Sequence, residues 1–151
     1  MTPSDPLPRM FAHMDWANGR ILEVLRAMPE PPPQALDLFA HMLTAEHVWL
    51  RRVQGTPATY AVWQPLGLDE CERLARANHQ GYQTLLASDD RARIVDYHMS
   101  NGTAQSTMLA DILVHVSHHG MYHRGQVSLL VRASGGTPVS TDYILFVREL
   151  H

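Results

Sequence analysis

Residues 107–133 read TMLADILVHVSHHGMYHRGQVSLLVRA, and this stretch decides the fold class. At about 100° per residue, Leu109, Ile112, Val116, Val127 and Leu130 fall on one stripe of a long helix. Ser106 or Thr107 is the expected N-cap, and Ser134-Gly135-Gly136-Thr137-Pro138 closes the helix. His119 and His123 fall inside the apolar stripe, one turn apart. His115 lies at its edge, and His118 points away.

Upstream, three more helical segments are separated by proline or glycine. The first runs from about Leu7 to Ala27, with Phe11, Met14, Ile21, Val24, Leu25 and Met28 at helical spacing, and the proline run 31–33 ends it. The second spans about Gln34 to Gln54 and stops at Gly55-Thr56-Pro57. After a loop with Tyr60, Trp63, Pro65 and Gly67, Asp69 reads as an N-cap with Glu72 as its box partner. That third helix ends near Ser88 and carries Leu74, Ala77, Gly81 and Leu85 on one face. Ile94 to Met99 is β-prone, Asn101-Gly102 is a turn dipeptide, and Thr103 to Thr107 returns as a short partner strand. A lone hairpin is marginal, so it must lie against the helices. In the tail, Tyr143, Ile144, Leu145 and Phe146 are apolar enough to pack back. The expectation is an all-α, up-and-down four-helix bundle with a short β-hairpin or loop before the last long helix, in one domain over residues 1–151.

Buried imidazoles each carry a donor and an acceptor that must be satisfied. At i and i+4, His119 and His123 can present nitrogens to one ion while other groups take the second nitrogens. Gly120 beside them would let a ligand approach the backbone. A third ligand must come from another helix, and spacing leaves two candidates. His47 lies near the stripe of Leu36, Leu43 and Leu50, whereas His41 shares a face with Leu38, Ala45 and Val48. The other histidines, His13, His79, His98 and His151, read as solvated or singly hydrogen-bonded. Tyr122 and Trp49 read as packing residues, Arg124 as an exposed helical arginine, and Gln126 as a hydrogen-bond donor behind the ligands.

Composition excludes several classes. With 45% hydrophobic and 18% charged residues, a packed core is expected and disorder is not. A net charge of -3 and the lack of a basic stripe argue against nucleic acid. Every Lys-or-Arg cation is an arginine, which leaves no Schiff-base lysine. The single cysteine, Cys71, reads as a core residue and fits a reducing compartment. No apolar run approaches a membrane span and the N-terminus lacks a secretory pattern, so a cytoplasmic protein is expected. The first helix spreads Met10, Phe11, Met14, Trp16 and Ile21 over more than one narrow stripe, which suggests a homodimer through helix faces.

Three stretches resemble the DinB superfamily of DNA-damage-inducible, DinB/YfiT-like metal-dependent bundles. They are Met14-Asp15-Trp16-Ala17-Asn18, the segment from His41 to Arg52, and His115 to Val127 with its His123-Arg124-Gly125-Gln126 run. Thr137-Pro138 followed by Asp142-Tyr143 is similar to the family's tail. The resemblance implies a divalent metal held by His41, followed by the apolar pair Met42-Leu43, together with His119 and His123. Three histidines with free positions suit Zn, Ni or Fe(II). The resemblance also implies a metal-dependent transferase of the thiol S-transferase type, or a hydrolase, with a low-molecular-weight thiol as cofactor and a small-molecule substrate. The alternative is a metal-binding stress-response protein without turnover. No residue pattern assigns a catalytic or cofactor-binding residue.

Overall fold

The computed structural model describes residues 5–150 and contains five helices and one antiparallel hairpin among them. Helix α1 spans Leu7–Ala27, α2 Pro33–Gln54 and α3 Leu68–Ser88; strands β1 (Ile94–His98) and β2 (Ala104–Met108) follow, then α4 (Leu109–Ala133) and α5 (Tyr143–Glu149). Proline sits in the first turn of α1 and α2, where its missing N–H has no intrahelical role. At the end of α2, Gly55 takes φ 71° while Gly55 and Thr56 donate to the Arg52 and Arg51 carbonyls. A side chain there would meet the left-handed penalty.

The long helices do not alternate in the simple up-and-down order expected. Asn78 Nδ2 donates to the Leu43 carbonyl and Tyr82 Oη to the Glu46 carbonyl, so α2 and α3 run in the same direction. The long connection over residues 55–67 makes that return possible, and it carries part of the candidate site.

Three local expectations fail for identifiable reasons. Asp69 is not an N-cap, because α3 already begins at Leu68 behind Gly67; Asp69 and Glu72 instead both accept from Arg26 of α1. Neither Ser106 nor Thr107 caps α4, since both are used in β2 and Met108 is the N-cap residue. The buried face of α3 is Cys71, Leu74, Asn78, Tyr82 and Leu85, with Ala77 exposed. The hairpin does form with Ile94 opposite Met108 and His98 opposite Ala104, and Gly102 turns at φ 87°. It lies against the helices through buried Val95 and through Tyr97, whose ring meets Trp49 of α2 edge-on at 5.2 Å.

The tail packs back as expected, but as a helix. Phe146 of α5 is buried against Trp16 and His13, and Trp16 Nε1 donates to Glu149. His13 is held by one hydrogen bond to the Thr141 carbonyl. Much of the broad apolar surface of α1 is therefore covered within the chain.

The apolar core divides into two clusters. One joins Phe11, Met14, Leu50, Tyr82, Ile112 and Val116; the other joins Ile21, Leu25, Phe39, Leu43, Leu74 and Val127. Beside them lies a buried polar group of Asn18 from α1, Glu46 from α2 and Arg124 from α4, the last next to His123 on the same helix. Cys71 is buried, and burial pushes its thiol up to about 11, as suits a packing residue. No helix among the described residues is long and apolar enough to cross a membrane.

Candidate metal centre

His41 of α2 and His119 and His123 of α4 converge, with one ring nitrogen from each within 4.8 Å of the others. The i, i+4 spacing on α4 stacks two imidazoles, whose Nε2 atoms lie 3.1 Å apart. The His41 ring stands edge-on to both, with centroids at 5.2 Å and 4.9 Å. His115, His118 and His47 do not join the group.

The outer nitrogens fix the tautomers. His41 Nδ1 is 2.8 Å from the Val62 carbonyl, which can only accept, so Nδ1 carries the proton and Nε2 keeps a lone pair. His123 Nδ1 donates in the same way to Gln126 Oε1 at 2.7 Å. Gln126, expected as a donor, is instead the acceptor for a candidate ligand, because its amide oxygen faces the His123 N–H. Two adjacent lone pairs on His119 and His123 repel unless a proton or a cation lies between them. Ligand nitrogens about 2.0–2.1 Å from a tetrahedral zinc stand about 3.3 Å apart, close to the spacing found. The donor set, its orientation and its carbonyl and amide supports all fit a divalent ion.

The 55–67 connection is pinned at both ends of this arrangement. Thr59 N–H donates to His47 Nε2 at 3.0 Å, and the Val62 carbonyl accepts from both His41 and Thr44 Oγ1. His47 is thereby committed as the anchor of the loop that orients His41. From the same loop, Trp63 stacks on the His41 ring at 3.6 Å with the two planes nearly parallel, while remaining 60% exposed. From sequence Trp63 is only a loop residue, and an aromatic in a Pro/Gly-bounded loop is the one signal of its place. Tyr122, expected to pack, is exposed beside His123.

Arg124 and Gly120 also differ from expectation. Arg124 is among the largest fully buried side chains, and its Nη1 donates to Asn18 Oδ1 at 3.0 Å. Asn18 Nδ2 in turn donates to Glu46, so one amide bridges cation and acid across three helices. Burial pushes the Glu46 carboxyl up to about 8 despite Arg124, and burial brings Arg124 down to about 10. Gly120 leaves space for this guanidinium, not for a ligand: a Cβ there would lie 2.9 Å from Arg124 Nη1.

Desolvation, reinforced by the neighbouring His123, His41 and His115, lowers His119 to about 4. Burial also lowers His41, outweighing its bond to Val62. Protons therefore compete with a metal at lower pH than for free imidazoles near 6.5. Metal retained by the protein should persist at pH 5.5 and fall away as the pH approaches 4. Loss of half the metal already at pH 6.5, in a dialysis series followed by elemental analysis, would count against this site.

The family model described as "DinB family" matches residues 2–149. The chain is also 22% identical to "Protein DinB" of Bacillus subtilis (strain 168), over 95% of each chain. With the match spanning nearly the whole sequence, the chain belongs to the DinB family.

Proposed function

We propose that α1–α4 form a four-helix bundle in a single domain that holds one Zn, Ni or Fe(II) ion on His41, His119 and His123, and that the protein is a metal-dependent thiol transferase acting on a small molecule. The observation that carries this reading is the ligand set itself. Three nitrogens converge, no cysteine or carboxylate among the described residues completes the group, and His119 is only half-buried. A structural site would be four-coordinate and closed. A divalent ion with a free position would lower the pKa of a thiol brought to it at neutral pH.

The chain's own residues supply orientation and shielding. Val62 and Gln126 hold the rings of His41 and His123 with their Nε2 lone pairs inward. Trp63 covers one face of His41 and leaves its own outer face to solvent. The test is transfer of a panel of small thiols to a generic electrophile by metal-loaded, metal-free and His123→Ala protein. Turnover is expected only in the loaded protein. Equal turnover without metal would end the metalloenzyme reading, and none across the panel would favour a non-catalytic stress-response role.

We also propose a homodimer in the cytoplasm. With the α1 surface partly covered by α5, the support shifts to the outer face of α4, where Met121, Tyr122 and Leu129 are exposed. Sedimentation at micromolar concentration should show a dimer that Tyr122→Glu and Leu129→Glu together dissociate. A wild-type monomer would refute it.

A further inference from the structure

Beyond the histidines, half-exposed rings lead from the candidate centre along α2. His115 lies 5.7 Å from His119, and Trp49 5.4 Å from His115. Trp49 and Tyr97 then hold the Arg52 guanidinium, whose Cζ is 4.7 Å and 5.4 Å from the two ring centroids. They border a cavity of about 480 Å³ between the last turns of α2 and the hairpin, with Ser100, Asn101 and Gln105 on its far side. That size suits a small organic ligand.

Among the described residues no carboxylate lies within ion-pair distance of Arg52; Arg9, Arg51 and Arg73 share that state, but Arg52 is the one set over two aromatic rings at the edge of this cavity. Contact with two aromatic rings holds the guanidinium at the cavity, and its N–H groups have no acceptor among the described residues. A structural cation fastening the hairpin to α2 explains that contact, but it does not require a cavity lined by an amide, a hydroxyl and an unused donor fork.

We propose that this cavity is a carboxylate-binding subsite, in which Arg52 takes the carboxylate of a small organic acid while Trp49 and Tyr97 cover its body. One planar fork matches one carboxylate. No second cation lines the cavity to match the second charge of a phosphate dianion. His41 and Arg52 lie eleven residues apart, nearly on one face of α2, or roughly 16 Å along a helix rising about 1.5 Å per residue. Because Arg52 reaches back over Trp49, the remaining span suits an acid of about tripeptide length, roughly 10 Å when extended. Placing a thiol at the other end rests on the proposed metal–thiol function; the carboxylate contact does not.

The probes are N-acetyl-Cys-Ala-Gly as the free acid and as the C-terminal amide, titrated calorimetrically into zinc-treated protein. The acid should bind at least about tenfold tighter, the scale of one charge-assisted hydrogen-bonded pair. Arg52→Met, which keeps an apolar stem on the rings, should abolish that preference while leaving the amide's affinity unchanged. Arg52→Lys should keep part of it, so a folding defect in one variant leaves the other informative. Inorganic phosphate should not displace the acid. Equal affinity of acid and amide, binding of neither, a preference that survives Arg52→Met, or displacement by phosphate would each overturn the proposal. N-acetyl-Ser-Ala-Gly separates the two readings. If the metal–thiol function fails, the serine peptide binds as well as the cysteine peptide, while the acid-over-amide preference persists.

Discussion

Arg124→Ala is expected to destabilise the fold by about 2–4 kcal/mol, from the cavity left by a large buried side chain and the buried amide acceptor it leaves unsatisfied. The guanidinium is nearly completely buried beside two apolar clusters, and truncation would leave Asn18 Oδ1 without its donor and Glu46 without a nearby cation. Gly120→Ala should act in the same direction, since its Cβ would press on Arg124 Nη1. Glu46→Gln should be far milder. With its carboxyl pushed up to about 8, Glu46 is already largely neutral near pH 7, and an amide can still accept from Asn18. The folded chain keeps a proton on Glu46 that the unfolded chain, with a carboxyl near 4.5, releases. Stability from this group is full below about pH 4.5 and is lost as the pH rises through about 8. Urea unfolding at several pH values should show that loss in the wild type and a flatter profile in Glu46→Gln. A change of less than about 1 kcal/mol in Arg124→Ala would mean that the network contributes no more than an exposed pair does.

Helix α4 was legible because Leu109, Ile112, Val116, Val127 and Leu130 recur at helical spacing and a Ser-Gly-Gly run closes them. The Asn101-Gly102 turn was legible because Gly102 must adopt a positive φ. In α2, the choice between His41 and His47 was not legible from spacing, and the structure gives the reason: residues 39–48 are all buried. A helix buried on every side has no stripe to mark which histidine faces the other two. The family resemblance points to His41, and His41 is the one whose ring nitrogen lies within 4.8 Å of those of His119 and His123.

Arg124 was misread for the opposite reason. A charged residue beside a candidate ligand has every local mark of a surface position. Its partners, Asn18 and Glu46, lie on two other helices and are invisible to local patterning. The tryptophan-alanine-asparagine stretch of α1 and the His123-Arg124 stretch of α4 turn out to meet through Asn18 and Arg124. Trp63 is a similar case, because its place over His41 depends on how the 55–67 connection crosses between parallel helices. Likewise, the tail's apolar residues signalled packing but not a helix, since seven residues are too few for periodicity to establish one.

Metal content in histidine variants tests the central claim most directly. The protein purified without an affinity tag should carry about one divalent ion per chain, as a mononuclear three-ligand site requires. His41→Ala, His119→Ala and His123→Ala should each reduce this to background, because two imidazoles from one helix or one from each cannot match the affinity of three. His118→Ala should retain the ion, since that side chain is exposed and outside the group. His47→Ala should also retain it, because the His47 Nε2 is already engaged by Thr59 N–H and lies outside the group. Elemental analysis showing the ion lost from the first three variants and kept in the last two is the predicted result. Equal metal in all five, or loss in His47→Ala with retention in His41→Ala, would contradict the account.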